Sequence, residues 1–301
     1  MRGGRRHDST GLIDADGGGM GTTMGRMPVI HTYSSPEEAF CVNSYWLEMQ
    51  HGVVVIGTQF LISQARNLRR DVESAGKPII AVIITHPHPD HCNGTGILLE
   101  GHPDVPIYAT RATFAAIKAT EERERDYWKS GYGADYPSAT VLPTHLLASG
   151  AVLNLGGPRF HFRDIGAGES LNQTLVSLDT EHVLFCGDLV SCRVHPWLAE
   201  GRSSAWLEQL GFVLNEYPTI TTVYPGHGQP TTLIGLNEQV AYVNAVQSLV
   251  RDEIAATGSV TDEGKAAIND AVEQRFPDQP LAMLHDRNIE AVAAELSGRS
   301  A

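Results

Sequence analysis

The chain is poor in cysteine, in basic residues and in long apolar runs, and each shortage argues against a class of protein. Its four cysteines form no C-x-x-C pair, so the sequence predicts reduced thiols and a cytoplasmic location rather than a disulfide scaffold. No apolar run reaches the length of a membrane span, so we expect no membrane partner. With 22 basic against 35 acidic residues, the formal net charge is −13, which disfavours a nucleic-acid partner.

The first 27 residues have a different character from the rest. They begin basic, continue into Gly17-Gly18-Gly19, and contain no apolar core of the kind that a secretion signal needs. We expect residues 1–27 to form a disordered tail. Residues 28–301 are expected to form one domain, in which the helices from about residue 233 either pack on the core or form a homodimer contact.

From Val29 onward the hydrophobic pattern predicts alternating strands and helices. Two hairpins are expected, Val42–Met49 with Val53–Thr58 and Val152–Leu155 with Arg159–Ile165. Further strands are expected at Pro78–Thr85, Ile107–Ala109, Thr174–Leu178, Val183–Phe185 and Ile220–Tyr224. Helices are expected at Leu61–Ser74, from Thr110 to about Lys129, at Ser204–Glu216, and after Leu233 with breaks near Gly258 and Pro277. The predicted class is α/β, with two mixed sheets facing each other.

The strongest chemical signal is the segment THPHPDH at residues 85–91, directly after the β-branched run PIIAVIIT. Imidazole nitrogen and carboxylate oxygen both suit zinc-like ions. His86 and His88 share one direction and can bind one ion, whereas Asp90 and His91 turn the other way and can bind a second. A histidine-rich solvated turn is the weaker alternative, because four such residues follow a buried strand at once.

Two later motifs also follow buried strands. Phe185-Cys186-Gly187-Asp188 supplies a carboxylate whose two oxygens can span two cations about 3.5–4 Å apart, although an aspartate after glycine can also simply cap a loop. In Tyr224-Pro225-Gly226-His227-Gly228, the flanking glycines allow the backbone to bring His227 close to a metal.

These three motifs, in this order between about residues 29 and 230, resemble those of the metallo-β-lactamase-fold hydrolase superfamily. The resemblance implies an αββα sandwich, with two mixed β-sheets flanked by helices and a site at one edge between the sheets. It implies that His86 and His88 bind the first metal. It also implies that Asp90, His91 and His227 bind the second metal, and that Asp188 contacts both.

The chain departs from that family at one ligand. Most members complete the first site with a histidine in a Gly-His-Ser/Thr stretch, whereas this chain has Gly168-Glu169-Ser170. Either Glu169 ligates directly or the first site is incomplete, and the glycine-rich loop favours direct ligation. A carboxylate ligand shifts preference toward iron or manganese relative to an all-imidazole site, while zinc stays open. We therefore expect two divalent metal ions, zinc or iron, with manganese as a third option.

Other candidates concern the substrate. His195 begins a His-Pro-Trp-Leu segment that resembles one in a branch of the same fold, and it either donates a hydrogen bond to a substrate carbonyl or is structural. Four aromatic residues lie between the two halves of the chain and either line an acyl pocket or form local core: Tyr127, Trp128, Tyr132 and Tyr136.

The predicted function is a dinuclear metal-dependent hydrolase acting on a small-molecule acyl substrate. Asp90 would orient the nucleophile and carry a proton to the leaving group. An acyl thioester ranks first by elimination, because the chain offers no nucleic-acid-clamping insert and no flavin module. A lactonase or β-lactamase-like amide or lactone hydrolase is the alternative. A non-catalytic metal-binding module is the second alternative, which the altered position 169 supports.

Overall fold

The computed structural model describes residues 28–178 and 182–298, so the tail predicted for residues 1–27 lies outside the described residues. The first sheet contains six strands, in the order β1-β2-β3-β4-β5-β6. Its first two pairings are antiparallel and the other three are parallel. The strands are β1 (Val29–Ser34), β2 (Asn43–Glu48), β3 (Val53–Ile56), β4 (Ile79–Ile83), β5 (Ile107–Thr110) and β6 (His145–Leu147).

The second sheet contains five strands in the order β11-β10-β9-β8-β7, and only the β10–β11 pairing is parallel. Its strands are β7 (Val152–Asn154), β8 (Arg159–Asp164), β9 (Thr174–Leu178), β10 (Val183–Cys192) and β11 (Thr222–Gly228). Both sheets are therefore mixed, and both predicted hairpins are confirmed by the β2–β3 and β7–β8 pairings.

Helices cover the outer face of each sheet. On the first half of the chain they are α1 (Ile62–Glu73), the short α2 (Pro89–Cys92) and α3 (Thr95–Leu98), and α4 (Arg111–Tyr132). On the second half they are α5 (Ser203–Glu216), α6 (Leu233–Thr257), α7 (Asp262–Arg275) and α8 (His285–Leu296). Thr110 caps α4 as predicted, because its side chain accepts from the amide of Thr113. None of the helices in the described ranges is both long and apolar enough to cross a membrane.

Three layers of buried apolar side chains hold the two sheets and the helices together. Between the sheets, inward side chains such as Leu47 and Ile83 meet Phe162 and Phe185. Outside the first sheet, α1 and α4 bury residues against a second layer, and outside the second sheet α5 to α8 bury a third around Trp206. Alternation along a strand sends successive side chains to opposite faces, so each sheet is covered on both sides. The expected αββα sandwich is confirmed, and the C-terminal helices pack on the core.

Strand β10 is longer than the sequence predicts. The expected strand ended at Phe185 because Cys-Gly-Asp is typical of a turn. In the structure the strand continues to Cys192, with register shifts against β11 on both sides of Gly187, whose φ is +51°. This irregularity keeps Asp188 within a rigid strand while aiming its side chain away from the regular pleat.

Candidate metal centre

The THPHPDH segment follows the end of β4 and runs directly into α2. His88 is the N-cap of α2, with extended backbone, and Pro89 occupies the first helical position. This change from extended to helical backbone turns Asp90 and His91 away from the direction of His86 and His88. The amide of Thr174 on β9 donates to the carbonyl of Thr85 at 2.8 Å, which joins this segment to the second sheet.

Four side chains from three parts of the chain form a first cluster, in which the ligand atoms all lie within 4.8 Å of one another: His86, His88, Glu169 and Asp188. The Nε2 atom of His86 is 3.1 Å from Asp188 Oδ2. The Nδ1 atom of His88 is 3.2 Å from the same oxygen and 3.4 Å from Glu169 Oε1. Glu169 thus lies in the first cluster, at the position where the resemblance predicts a histidine ligand.

A second cluster shares the carboxylate of Asp188 with the first: Asp90, His91, Asp188 and His227. The Nε2 atom of His91 is 3.0 Å from Asp188 Oδ1, and that of His227 is 3.3 Å from Asp188 Oδ2. Asp90 Oδ2 lies 3.4 Å from the Nε2 atom of His227. Two adjacent groups with a common carboxylate match the donor set that two divalent cations require.

Unpaired buried atoms show that these residues fit metal ions better than they fit one another. Glu169 is only 1% exposed, and both of its carboxylate oxygens are buried without a hydrogen-bond partner. The Nε2 atoms of His86 and His91, and Oδ1 of Asp188, are also buried without one. Buried polar atoms nearly always have a partner, so this set of unpartnered oxygens and nitrogens is suited to a bound metal.

The charges of the clusters depend strongly on one another. Burial lowers the pKa of His86 to about 4. Burial would also lower the pKa of His227, but Asp188 outweighs that effect and raises it to about 9. Burial would raise the pKa of Asp188, but the facing imidazoles, His91 foremost, hold it well below its usual range. For Glu169, burial raises the pKa well above its usual range. Asp188 is therefore the ionised carboxylate at the junction of the two clusters.

Two glycines near His227 leave room for this junction. A Cβ atom at Gly226 would lie 1.8 Å from Asp188 Oδ1, so only glycine fits there. Gly228 has φ +80°, and a Cβ atom there would lie 1.9 Å from the carbonyl oxygen of Cys192. The sequence predicted that these glycines allow a close backbone approach, and in the structure Gly226 approaches Asp188 while Gly228 approaches β10.

Groups behind the clusters set the directions of the imidazole rings. His227 Nδ1 lies 2.7 Å from the carbonyl oxygen of Phe40, so an Nδ1–H donor there leaves Nε2 facing the aspartates. Tyr45 donates to the carbonyl of Pro225 at 2.6 Å, and Asn43 donates to the carbonyl of Gly228 at 2.6 Å. Strand β2 therefore fixes the end of β11 from which His227 projects.

Glu200 is a residue of this site that sequence reasoning missed. Its Oε1 atom lies 3.7 Å from His88 Nε2, whereas Asp188 faces Nδ1 of the same ring, and Arg202 pairs with the Glu200 carboxylate. Burial would raise the pKa of Glu200, but His88 and Arg202 outweigh it and lower it to about 2. Glu200 lies 31 residues from Glu169 in an irregular segment, and no spacing pattern in the sequence links it to His88.

We expect Glu200→Gln to weaken metal binding at the first cluster by about 10-fold, the lower end of the usual effect of removing a carboxylate behind a ligand histidine, because the 3.7 Å contact is an ion pair and not a hydrogen bond. The second cluster should keep its affinity, because Glu200 contacts only His88 among the site histidines. Competition titration with a chromophoric chelator measures both affinities. Glu208→Gln, an exposed change on α5, is the matched control, and equal affinities in the two variants would exclude this role.

The clusters open into a cavity of about 410 Å³ with aromatic walls. Tyr127 and Trp128 line it, together with Trp197, whereas Tyr132 and Tyr136 pack on Phe60 in a neighbouring apolar cluster. Of the four aromatic residues singled out in the sequence, Tyr127 lines the cavity, Tyr132 and Tyr136 belong to the apolar cluster, and Trp128 takes part in both.

His195 also borders the cavity, but protein groups surround its ring. Its Nδ1 atom is 2.8 Å from the hydroxyl of Tyr242, and its Nε2 atom is 3.4 Å from Glu273. Its part as a hydrogen-bond donor to a substrate carbonyl stays a prediction. The four cysteines, all within the described ranges, are free thiols, and burial raises the pKa of Cys92 to about 12.

Comparison with known proteins agrees with this architecture. A hydroxyacylglutathione hydrolase from Gloeobacter violaceus is 26% identical over 165 residues, which are 55% of this chain and 56% of that protein. The chain thus spans about half the length of this relative.

Solved structures with low sequence identity share the fold. A beta-lactamase domain protein from Burkholderia ambifaria aligns with a TM-score of 0.64 at 19% identity, covering 89% of this chain and 87% of its own. A metallo-beta-lactamase from Pontibacter korlensis aligns with a TM-score of 0.58 at 20% identity, covering 74% and 97%. The model of the metallo-beta-lactamase superfamily matches residues 40–230. The chain therefore belongs to the metallo-β-lactamase superfamily.

Proposed function

We propose that this protein is a dinuclear metal-dependent hydrolase that cleaves an acyl thioester with an apolar acyl group. The observation that carries the proposal is the position of the two clusters joined by Asp188, at the base of a cavity with aromatic walls. A cavity of this kind favours an apolar acyl chain, and the ligand set next to it favours a polarised carbonyl group. The metals proposed are zinc or iron, with manganese as a third option.

Bound metal ions would polarise the scissile carbonyl and supply a water molecule with a pKa near 7. The protein's own contribution begins with Asp188, which holds the two clusters together through its two oxygens. Asp90 lines the cavity beside His227 and His91, so its carboxylate is placed to orient the attacking water. The same carboxylate can then pass the proton to the leaving thiolate.

Two further observations support a thioester over other acyl substrates. The relative from Gloeobacter violaceus is named as a hydrolase of hydroxyacylglutathione, in which the acyl group is held by the glutathione thiol. Arg123 and Arg287 line the same cavity, and Arg287 lies over the ring of Tyr127 at 4.9 Å. Guanidinium groups in these positions suit a leaving group that carries carboxylates or phosphates.

A substrate panel with a constant acyl group tests the proposal. The panel contains a medium-chain acyl group on glutathione, on coenzyme A and on a simple alcohol, together with a lactone and a cephalosporin. We expect fastest turnover of a thioester, lost with a chelator and restored by zinc or iron(II). Faster turnover of the lactone or the cephalosporin would favour the lactonase or β-lactamase-like alternative. No turnover of any substrate would favour a non-catalytic metal-binding module.

The aromatic wall gives a separate expected result. Trp197→Ala should raise KM for a medium-chain thioester by about 10-fold with little change in kcat, because it removes apolar contact equally from the ground state and the transition state. The effect should shrink as the acyl chain is shortened to acetyl. Steady-state kinetics over a chain-length series measures it. An equal KM ratio at every chain length would show that Trp197 does not contact the acyl chain.

A further inference from the structure

Outside the centre described above, three side chains from separate elements converge on one point. His195 follows β10, Glu273 lies on α7 and His285 begins α8. Their ligand-capable atoms lie within 4.8 Å of one another. Glu273 Oε1 is 3.4 Å from His195 Nε2 and 3.8 Å from His285 Nδ1, and the two imidazole rings meet at 83° with centroids 4.2 Å apart.

Both histidines are buried without complete hydrogen bonding. His195 is 1% exposed and His285 is 5% exposed. The Nε2 atom of each is buried and has no hydrogen-bond partner among the described residues. Buried polar atoms are nearly always paired. The unpaired Nε2 of His195 faces Glu273 Oε1, and His285 presents Nδ1 to the same oxygen, so this group of donors points to a missing ligand.

Tyr242 sets the direction of the His195 ring. Its hydroxyl is 2.8 Å from His195 Nδ1, and burial raises the pKa of Tyr242, so the hydroxyl stays neutral. When Nδ1–H donates to this hydroxyl, the lone pair of Nε2 faces the carboxylate of Glu273. The Nε2 lone pair and the Glu273 carboxylate are then two acceptors that face each other, as they would around a bound cation. The Tyr242 hydroxyl behind the ring holds the histidine in that orientation. The other tautomer directs Nε2–H toward Glu273 without reaching hydrogen-bond geometry.

We propose that His195, Glu273 and His285 bind a third divalent transition metal ion, of the zinc class, and that this role replaces the one of hydrogen-bond donor to the substrate, because both ring nitrogens of His195 are then engaged. Two imidazoles and one carboxylate are ligands of the zinc type, and the half-exposed Glu273 leaves the remaining position open to solvent. The ion would fasten α7 and α8 to the segment that begins at His195 and carries Trp197 and Glu200. The site therefore supports the cavity wall, and its existence does not depend on which bond the enzyme hydrolyses.

Zinc titration of the metal-free protein tests this site. We expect three zinc equivalents for the unmodified chain and two for Glu273→Gln, which changes a half-exposed side chain without altering its size and is therefore expected to fold. Glu263→Gln, an exposed change on the same helix, should still bind three. The same number of equivalents for the unmodified chain and for Glu273→Gln would overturn the proposal, whereas a total below three with one equivalent lost in Glu273→Gln would leave the third site standing and contradict the dinuclear site instead.

A second measurement isolates the third site from the first two. In the Asp188→Ala background, which removes the shared ligand of the other clusters, zinc should still raise Tm, and it should no longer do so when Glu273→Gln is added. His285→Ala in the same background should behave like Glu273→Gln. An equal zinc-dependent rise in Tm with and without Glu273→Gln would contradict the assignment.

Discussion

Replacing Asp188 by alanine is expected to lower kcat/KM for the best thioester substrate by about 10³-fold or more, because the two clusters lose their only common ligand. The carboxylate oxygens of Asp188 lie within 3.3 Å of four imidazole nitrogens, those of His86, His88, His91 and His227. Without the carboxylate, the imidazoles have no anion to hold them together, and the affinity for both metals should fall.

Steady-state kinetics and metal analysis on the same preparations check this result. Asp104→Ala, at an exposed turn, is the control for general effects of removing an aspartate. Retention of both metals and of at least a tenth of the activity in Asp188→Ala would show that Asp188 does not join the clusters.

The second large effect concerns Glu169. Glu169→Ala should remove the metal ion of the first cluster and leave that of the second. It should lower kcat/KM by about 10²-fold, because one of the two metal ions that would polarise the substrate is lost. Glu169→His should restore two metals and shift the preference toward zinc, since it replaces an oxygen ligand by an imidazole. Glu169→Gln keeps the size of the side chain and removes its charge, so it should resemble Glu169→Ala.

The comparison among these three variants separates ligation from packing. If Glu169 only filled space, Glu169→Gln would keep both metals and Glu169→His would be the most damaging change. Restoration of the metal by histidine, together with its loss in glutamine, is the pattern that direct ligation alone predicts.

The parts of the fold that the sequence predicted are those determined by local pattern. The β-branched run before His86 and the tight turn between β2 and β3 each carry their signal within about ten residues, as period and turn chemistry require. Asp188 and His227 could be singled out because each comes directly after a run that the sequence predicts as a buried strand, although both lie inside the observed strands β10 and β11. The histidine-rich segment further contains its own turn, since Pro89 begins α2 directly after His88.

The remaining parts depend on contacts between distant segments. Strand β10 continues past Gly187 only because β11 pairs with it, and local turn chemistry indicates the opposite. Glu200 reaches His88 across 112 positions of sequence, and His285 reaches His195 across 90. The three-residue strand β6 is too short to give a periodic signal. Such pairings follow from how the sheets and helices pack, which no spacing within one segment reveals.

Metal content of protein purified without added metal tests the central claim most directly. Elemental analysis is made on Glu273→Gln, in which the third site should no longer bind metal, and on Glu169→Ala in that background. The account predicts two metals per chain, with iron prominent, and the loss of one in the Glu169→Ala variant. One metal or none, unchanged by Glu169→Ala, would contradict the dinuclear site and favour a non-catalytic metal-binding protein.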